Sequence, residues 1–65
     1  MKNRIEEIRK VRGIRQEDFA KAVGVSRQTI SSLETGRYNP SIFLAYKIAQ
    51  YFGMTIEEVF LFDEL

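Results

Sequence analysis

The sequence predicts an all-α fold of five helices, and three observations carry that prediction. Apolar residues recur at the three- and four-residue spacing of helical faces. Gly13, Gly24, Gly36 and Gly53 stand where those faces stop, and Ser26, Ser41 and Thr55 stand where the next ones start. At 65 residues the chain has room for one domain, residues 1–65.

The stretch from Gln16 to Glu34, QEDFAKAVGVSRQTISSLE, organises the rest. Phe19, Ala20 and Val23 share one face of a helix from Gln16 to Val23. Gly24 suits the left-handed turn that ends it. Val25 plugs the turn, and Ser26 can cap the next helix. That helix runs from Arg27 to Glu34 with Ile30 and Leu33 on its inner face. Arg27, Gln28, Ser31 and Ser32 fall largely outside that face. Ala20 is small enough to let the second helix approach the first. Two helices joined by so short a turn cross steeply, and the second projects. It starts with Arg and Gln, the side chains that make bidentate hydrogen bonds to guanine and adenine in the major groove.

The remaining elements follow the same logic. Asn3 is placed to cap a first helix running to about Arg12, with Ile5, Ile8 and Val11 inward. Gly13 ends it and Ile14 turns back to the core. After Gly36, residues Arg37, Tyr38 and Asn39 form a loop before Pro40. Ser41 caps a fourth helix to about Phe52, with Ile42, Ala45, Ile48, Ala49 and Phe52 as its inner stripe. Phe43 and Tyr46 fall beside that stripe, as an association surface or as a broader core. Thr55 and Glu58 have capping-box spacing for a short fifth helix from Ile56, with Val59 and Phe60 inward. From Val59 to Leu65, five of seven residues are apolar. Chain ends are normally polar, so this tail needs cover. A homodimer seam over residues 55–65 is the preferred cover, and packing back onto its own domain is the other.

Composition removes whole function classes. There is no cysteine and no histidine, so disulfides, thiolate metal sites and the commonest general base are excluded. Ser26, Ser31 and Ser32 have no base to activate them, and no glycine-rich phosphate loop is present. An enzyme, a metal site and a cofactor are therefore not expected. No apolar run approaches the length of a membrane span, and the first ten residues lack a secretory apolar region. A cytoplasmic protein is expected. Net charge is +1, but residues 1–37 carry +4 and residues 38–65 carry −3. The basic part coincides with the helix pair, as a protein with one face toward phosphates requires.

On Gln16, Phe19, Ala20, Gly24, Val25, Ser26, Arg27, Gln28, Ile30, Leu33 and Glu34, with the downstream GRYNPS, the chain resembles the phage-repressor (Cro/repressor-like) helix-turn-helix family. The resemblance covers nearly the whole chain. It implies a compact repressor-like DNA-binding domain with its helix-turn-helix at residues 16–34. The partner implied is double-stranded DNA, with Arg27, Gln28 and Ser32 reading bases and Ser31 assisting. Gln16, Thr29 and Arg37 would hold phosphates, with Tyr38 over the backbone or packed on Pro40. The family also implies an ion pair between Arg9 and Glu34, against which stand two solvated charges. Arg15 departs from the family's usual Ser or Thr cap, since arginine accepts no hydrogen bond. It adds positive charge beside Gln16 instead. A homodimer would use Val59, Phe60, Leu61, Phe62, Phe43 and Tyr46. The alternative function is an antitoxin or interaction module whose main partner is another protein.

Overall fold

A computed structural model describes the backbone of residues 1–64 and the side chains of residues 1–63. Leu65, counted above in the apolar tail, lies outside the described residues. Five α-helices follow in order: α1 (Ile5–Val11), α2 (Gln16–Val23), α3 (Arg27–Glu34), α4 (Ile42–Phe52) and α5 (Ile56–Val59). A single 3-10 turn (Phe62–Glu64) closes the described chain.

The helix ends are set by local chemistry. At the end of α2, Gly24 takes φ +79°. The Val25 N–H then reaches the Ala20 carbonyl at 3.0 Å and the Gly24 N–H reaches Lys21 at 3.3 Å, which satisfies carbonyls the helix leaves open. The hydroxyls of Ser26, Ser41 and Thr55 each accept the N–H three residues on, at 3.1, 3.1 and 3.2 Å. The Thr55–Glu58 pair closes a full capping box. Arg15 occupies the cap position of α2 without a side-chain cap bond. Its guanidinium turns to Asp18 at 2.9 Å instead.

One core joins all five helices. Phe19, Ile30, Leu33, Ile5, Ile48, Val59 and Phe60 are fully buried. Burying an aromatic of this size stabilises the fold by about 1.5–3 kcal/mol. Phe19 stacks on Phe52 with centroids 5.0 Å apart and planes 9° apart. The Arg12 guanidinium lies 5.3 Å over the Phe52 ring, where the ring's negative face attracts it.

Five expectations need correction. Val59 and Phe60 are buried within the chain's own core, at 0% and 1% exposure, so they cannot form a seam with a second copy while the domain stays folded. The cause is an extended N-terminal segment that pairs with them. The Arg4 N–H donates to the Val59 carbonyl at 2.8 Å and the Leu61 N–H donates to Lys2 at 2.9 Å. This bridge between Asn3 and Phe60 couples residues too far apart in sequence for periodicity to reveal.

Ile42 is 69% exposed while Leu44 is buried. Counted at 100° per residue, Ile42 lies about 90° from the centre of the buried stripe and Leu44 about 70° on its other side. Phe43 points almost directly away from the core and is 79% exposed, rather than flanking the stripe. Val11 is exposed at the last turn of α1. The cap position of α1 is Arg4, without a side-chain cap bond. Asn3 Oδ1 does accept the Ile5 N–H at 3.1 Å, but Asn3 Nδ2 reaches across to the Leu33 carbonyl at 2.8 Å. Asn3 thus ties the start of the chain to the end of α3.

Candidate nucleic-acid interface

The projecting helix α3 is held by one side only. Ile30 and Leu33 are at 0% exposure, and Arg27, Gln28 and Ser31 face solvent. Ser26 Oγ accepts the Thr29 N–H at 3.1 Å and sits 3.0 Å from the Thr29 hydroxyl. These contacts fix the first turn, where base-reading side chains start.

The far end of α3 brings the next loop back to the same face. Gly36 takes φ +79°. The Gly36 N–H bonds Leu33 at 3.0 Å and the Arg37 N–H bonds the Ser32 carbonyl at 3.1 Å. The chain thereby folds back over the last turn of α3. Ser26, Gln28, Thr29, Ser32, Arg37 and Tyr38 then line one shallow, open depression. Tyr38 is 44% exposed. Ser31 is exposed on the same helix but does not line the depression.

Arg12 lies over the Phe52 ring, and the other arginines fall into two groups. Arg4 pairs with Glu7, Arg15 with Asp18 and Arg9 with Glu34. Among the described residues, Arg27 and Arg37 pair with no carboxylate. Their charge is therefore available to an anionic partner. Arg15 is exposed, but it must leave Asp18 and Glu17 to reach a phosphate. Hydrogen bonds to Asp18, and then its charge, push the Arg15 guanidinium further above its ordinary range.

Behind the face lies a polar network. Arg9 Nε donates to Glu34 Oε2 at 2.8 Å, and Arg9 Nη2 donates to Oε1 at 3.1 Å. Both side chains are over nine-tenths buried. Arg9 Nη1 donates to the Ile14 carbonyl at 2.9 Å. Its hydrogen bond with Glu34 raises the Arg9 pKa, against burial, which lowers it. Gln16 Nε2 donates to Glu34 Oε1 at 2.9 Å, and Gln16 Oε1 accepts from Arg27 Nε at 3.3 Å. Gln16, expected at a phosphate, is thus engaged inside the protein as well. No buried polar side-chain atom among the described residues lacks a partner. The sequence offered no sign of the Gln16–Arg27 contact or of the Asn3 tie, because both depend on how non-adjacent helix ends meet.

Among the described residues there is no cluster of metal-ligand type, and no helix is long and apolar enough to cross a membrane. A second surface is apolar. Met1, Pro40, Ile42, Ala45, Ile56, Phe60 and Phe62 line a groove between the start of α4 and the tail. Of these, Ile42 and Phe62 are well exposed, as is Tyr46 further along α4.

Comparison with known proteins places this geometry. Residues 5–59 match the family model described as helix-turn-helix. An uncharacterised HTH-type transcriptional regulator of Methanocaldococcus jannaschii is 48% identical over 64 residues, which cover 98% of this chain and 97% of the relative. The regulator YgzD of Bacillus subtilis, also uncharacterised, is 45% identical over 98% of this chain and 97% of its own. Among solved structures, the restriction-modification controller protein C.AhdI of Aeromonas hydrophila superposes with TM-score 0.77 at 29% identity, covering 85% of this chain and 83% of that one. The SinR protein, in a complex with the SinI protein, superposes at 0.74 with 29% identity, over 83% of this chain and 53% of that one. A face of exposed Arg, Gln and Ser on a projecting helix, on a fold shared with such proteins, has one family reading: the chain belongs to the helix-turn-helix transcriptional regulators, which bind double-stranded DNA and are not enzymes.

Proposed function

We propose that this protein is a sequence-specific repressor that binds an inverted-repeat operator as a homodimer in the cytoplasm. The observation that carries the reading is the convergence of Gln28, Thr29, Ser32, Arg37 and Tyr38 on one exposed face of α3, with two unpaired arginines. Arg27 reads guanine through O6 and N7, and Gln28 reads adenine through N6 and N7. Ser32 reads a base edge, with Ser31 assisting. Thr29, Arg37, Tyr38 and, once free of Asp18, Arg15 hold the flanking phosphates, and Gln16 lends its remaining amide hydrogen to one. Such contacts position the domain without specifying sequence. Repression needs only occupancy, which suits a domain of this size.

The dimer seam in this reading runs through the exposed apolar groove at Ile42 and Phe62, and extends over Leu61 and over the exposed Tyr46 and Phe43 of α4. Two copies joined there place two α3 helices in successive major grooves, roughly 34 Å apart. Selection from random duplexes at near-physiological salt tests the whole reading. An inverted repeat with fixed half-site spacing is expected. A single half-site removes the symmetric dimer. Weak, salt-sensitive binding with no enrichment removes base reading.

The same groove favours a second reading, in which its occupant is another protein and DNA binding is secondary. Absence of an enriched site together with a monomeric chain in solution supports it.

A further inference from the structure

Residues Met1 to Asn3 are pinned by the tail, by α3 and by the core. The Leu61 N–H donates to the Lys2 carbonyl at 2.9 Å. Asn3 Nδ2 donates to the Met1 carbonyl at 3.2 Å and to the Leu33 carbonyl at 2.8 Å. The Met1 side chain packs against the core. A terminus tied down in this way is a fixed point rather than a loose end. Its α-ammonium reaches the loop after α3. The Met1 nitrogen donates to the Gly36 carbonyl at 3.0 Å and to Asn39 Oδ1 at 2.8 Å. A Cβ on Gly36 would lie 3.6 Å from the Met1 carbonyl oxygen, so the first residue lies close against the turn. Between Gly36 and Asn39 stand Arg37 and Tyr38, which line the depression beside α3.

We infer that the Met1 α-ammonium is a positioning group for Arg37, fixing the loop that presents this arginine to the DNA backbone. The inference rests on the phosphate-holding role given to Arg37 above. The N–H groups of Gly36 and Arg37 bond to Leu33 and Ser32, so α3 holds the start of the loop through its donors. The ammonium holds the Gly36 carbonyl and, through the Asn39 side chain, the far end as well. Both bonds are charge-assisted and therefore stronger than neutral ones. A loop without this anchor must order Arg37 at the moment of binding, and that ordering costs affinity. An acyl group on the nitrogen removes the charge and leaves one N–H for two acceptors.

The test uses the full chain made by chemical synthesis with a free or an acetylated Met1 amine, each with and without Arg37→Ala. Dissociation constants are read on the selected operator and on a scrambled duplex. Acetylation is expected to weaken binding to both duplexes alike, about fivefold, within the cost of ordering one long side chain. In the Arg37→Ala background it should change little. No loss on acetylation overturns the inference. So does an equal loss without Arg37, which is what long-range charge alone would give. If Arg37→Ala with a free amine binds both duplexes as tightly as the wild-type chain, the phosphate role itself falls, and the inference with it. A second measurement needs no DNA. NMR order parameters of the Arg37 and Tyr38 amides should drop on acetylation while those of α2 stay the same, and unchanged order in the loop overturns the inference. Mass spectrometry of the chain from its own cells should find Met1 with a free amine. A removed or blocked Met1 there overturns the inference too.

Discussion

Arg9 and Glu34 meet side-on across 25 residues of sequence, Nε to Oε2 at 2.8 Å and Nη2 to Oε1 at 3.1 Å. The pair joins α1 to the last residue of α3, and almost no water reaches it. Removing one member leaves a buried, uncompensated charge, which typically costs about 3–5 kcal/mol. Arg9→Met is therefore expected to destabilise the domain by about that amount in urea denaturation. Arg9→Met with Glu34→Met should recover most of the loss, because two apolar chains need no desolvation. A single-variant loss under about 1 kcal/mol would mean that solvent screens the pair.

Arg27 and Arg37, the two arginines of the candidate interface that pair with no carboxylate, should separate by what they read. Arg27→Ala is expected to cost about 1–3 kcal/mol on the preferred site and to relax specificity at one base pair. Arg37→Ala should weaken binding alike on every sequence and lower the salt slope by about one. Titrations on operator and scrambled duplex, each at several salt concentrations, distinguish the two. Identical profiles for both variants would contradict the assignment of base and phosphate roles.

Much of this was legible in the sequence because it is local. Helix starts and stops depend on residues three or four apart, so Ser26, Ser41, Thr55 and Gly24 mark elements that the structure contains. The buried faces of α2 and α3 follow from periodicity in the same way. What failed was the assignment of faces at element edges and of long-range partners. Ile42 lies about 90° from the centre of the buried stripe of α4, on the side away from Leu44, so counting by threes and fours alone put it on the wrong side of that edge. Val59 and Phe60 read as an uncovered tail, because the covering strand-like segment is at the other end of the chain. Gln16 read as a phosphate contact alone, because its two partners within the protein come from the far end and the near end of α3.

The tail therefore divides between fold and interface, and two phenylalanines test the division. Phe60 is 1% exposed and Phe62 is 43% exposed. Phe60→Ala should leave a core cavity and cost about 3–5 kcal/mol of stability. Phe62→Ala should change the stability of the monomer by less than about 0.5 kcal/mol. If Phe62 lies in the dimer seam, its loss should weaken self-association at least about fivefold, as truncation of an aromatic anchor does. Thermal unfolding and sedimentation equilibrium read the two effects separately. An unchanged dimerisation constant for Phe62→Ala would move the seam away from the tail.

The capping box of α5 gives the domain one identifiable acid sensitivity. The Glu58 carboxylate accepts the Thr55 N–H at 2.8 Å, and the Thr55 hydroxyl accepts the Glu58 N–H at 3.2 Å. The backbone hydrogen bond from Thr55, and then the bond to its side chain, lower the Glu58 pKa from the usual 4.5. The unfolded chain thus binds this proton more readily than the folded one, so stability rises with pH across the gap. The contribution is complete above the usual carboxylate value and is lost as pH falls through the lowered one. α5 carries Val59, and Phe60 follows at once, so fraying its start loosens the cover of the core. Melting curves should show wild-type Tm falling below about pH 4.5. Glu58→Gln keeps an acceptor at every pH and should lose that part of the fall. Parallel curves for the two proteins would place the acid sensitivity elsewhere.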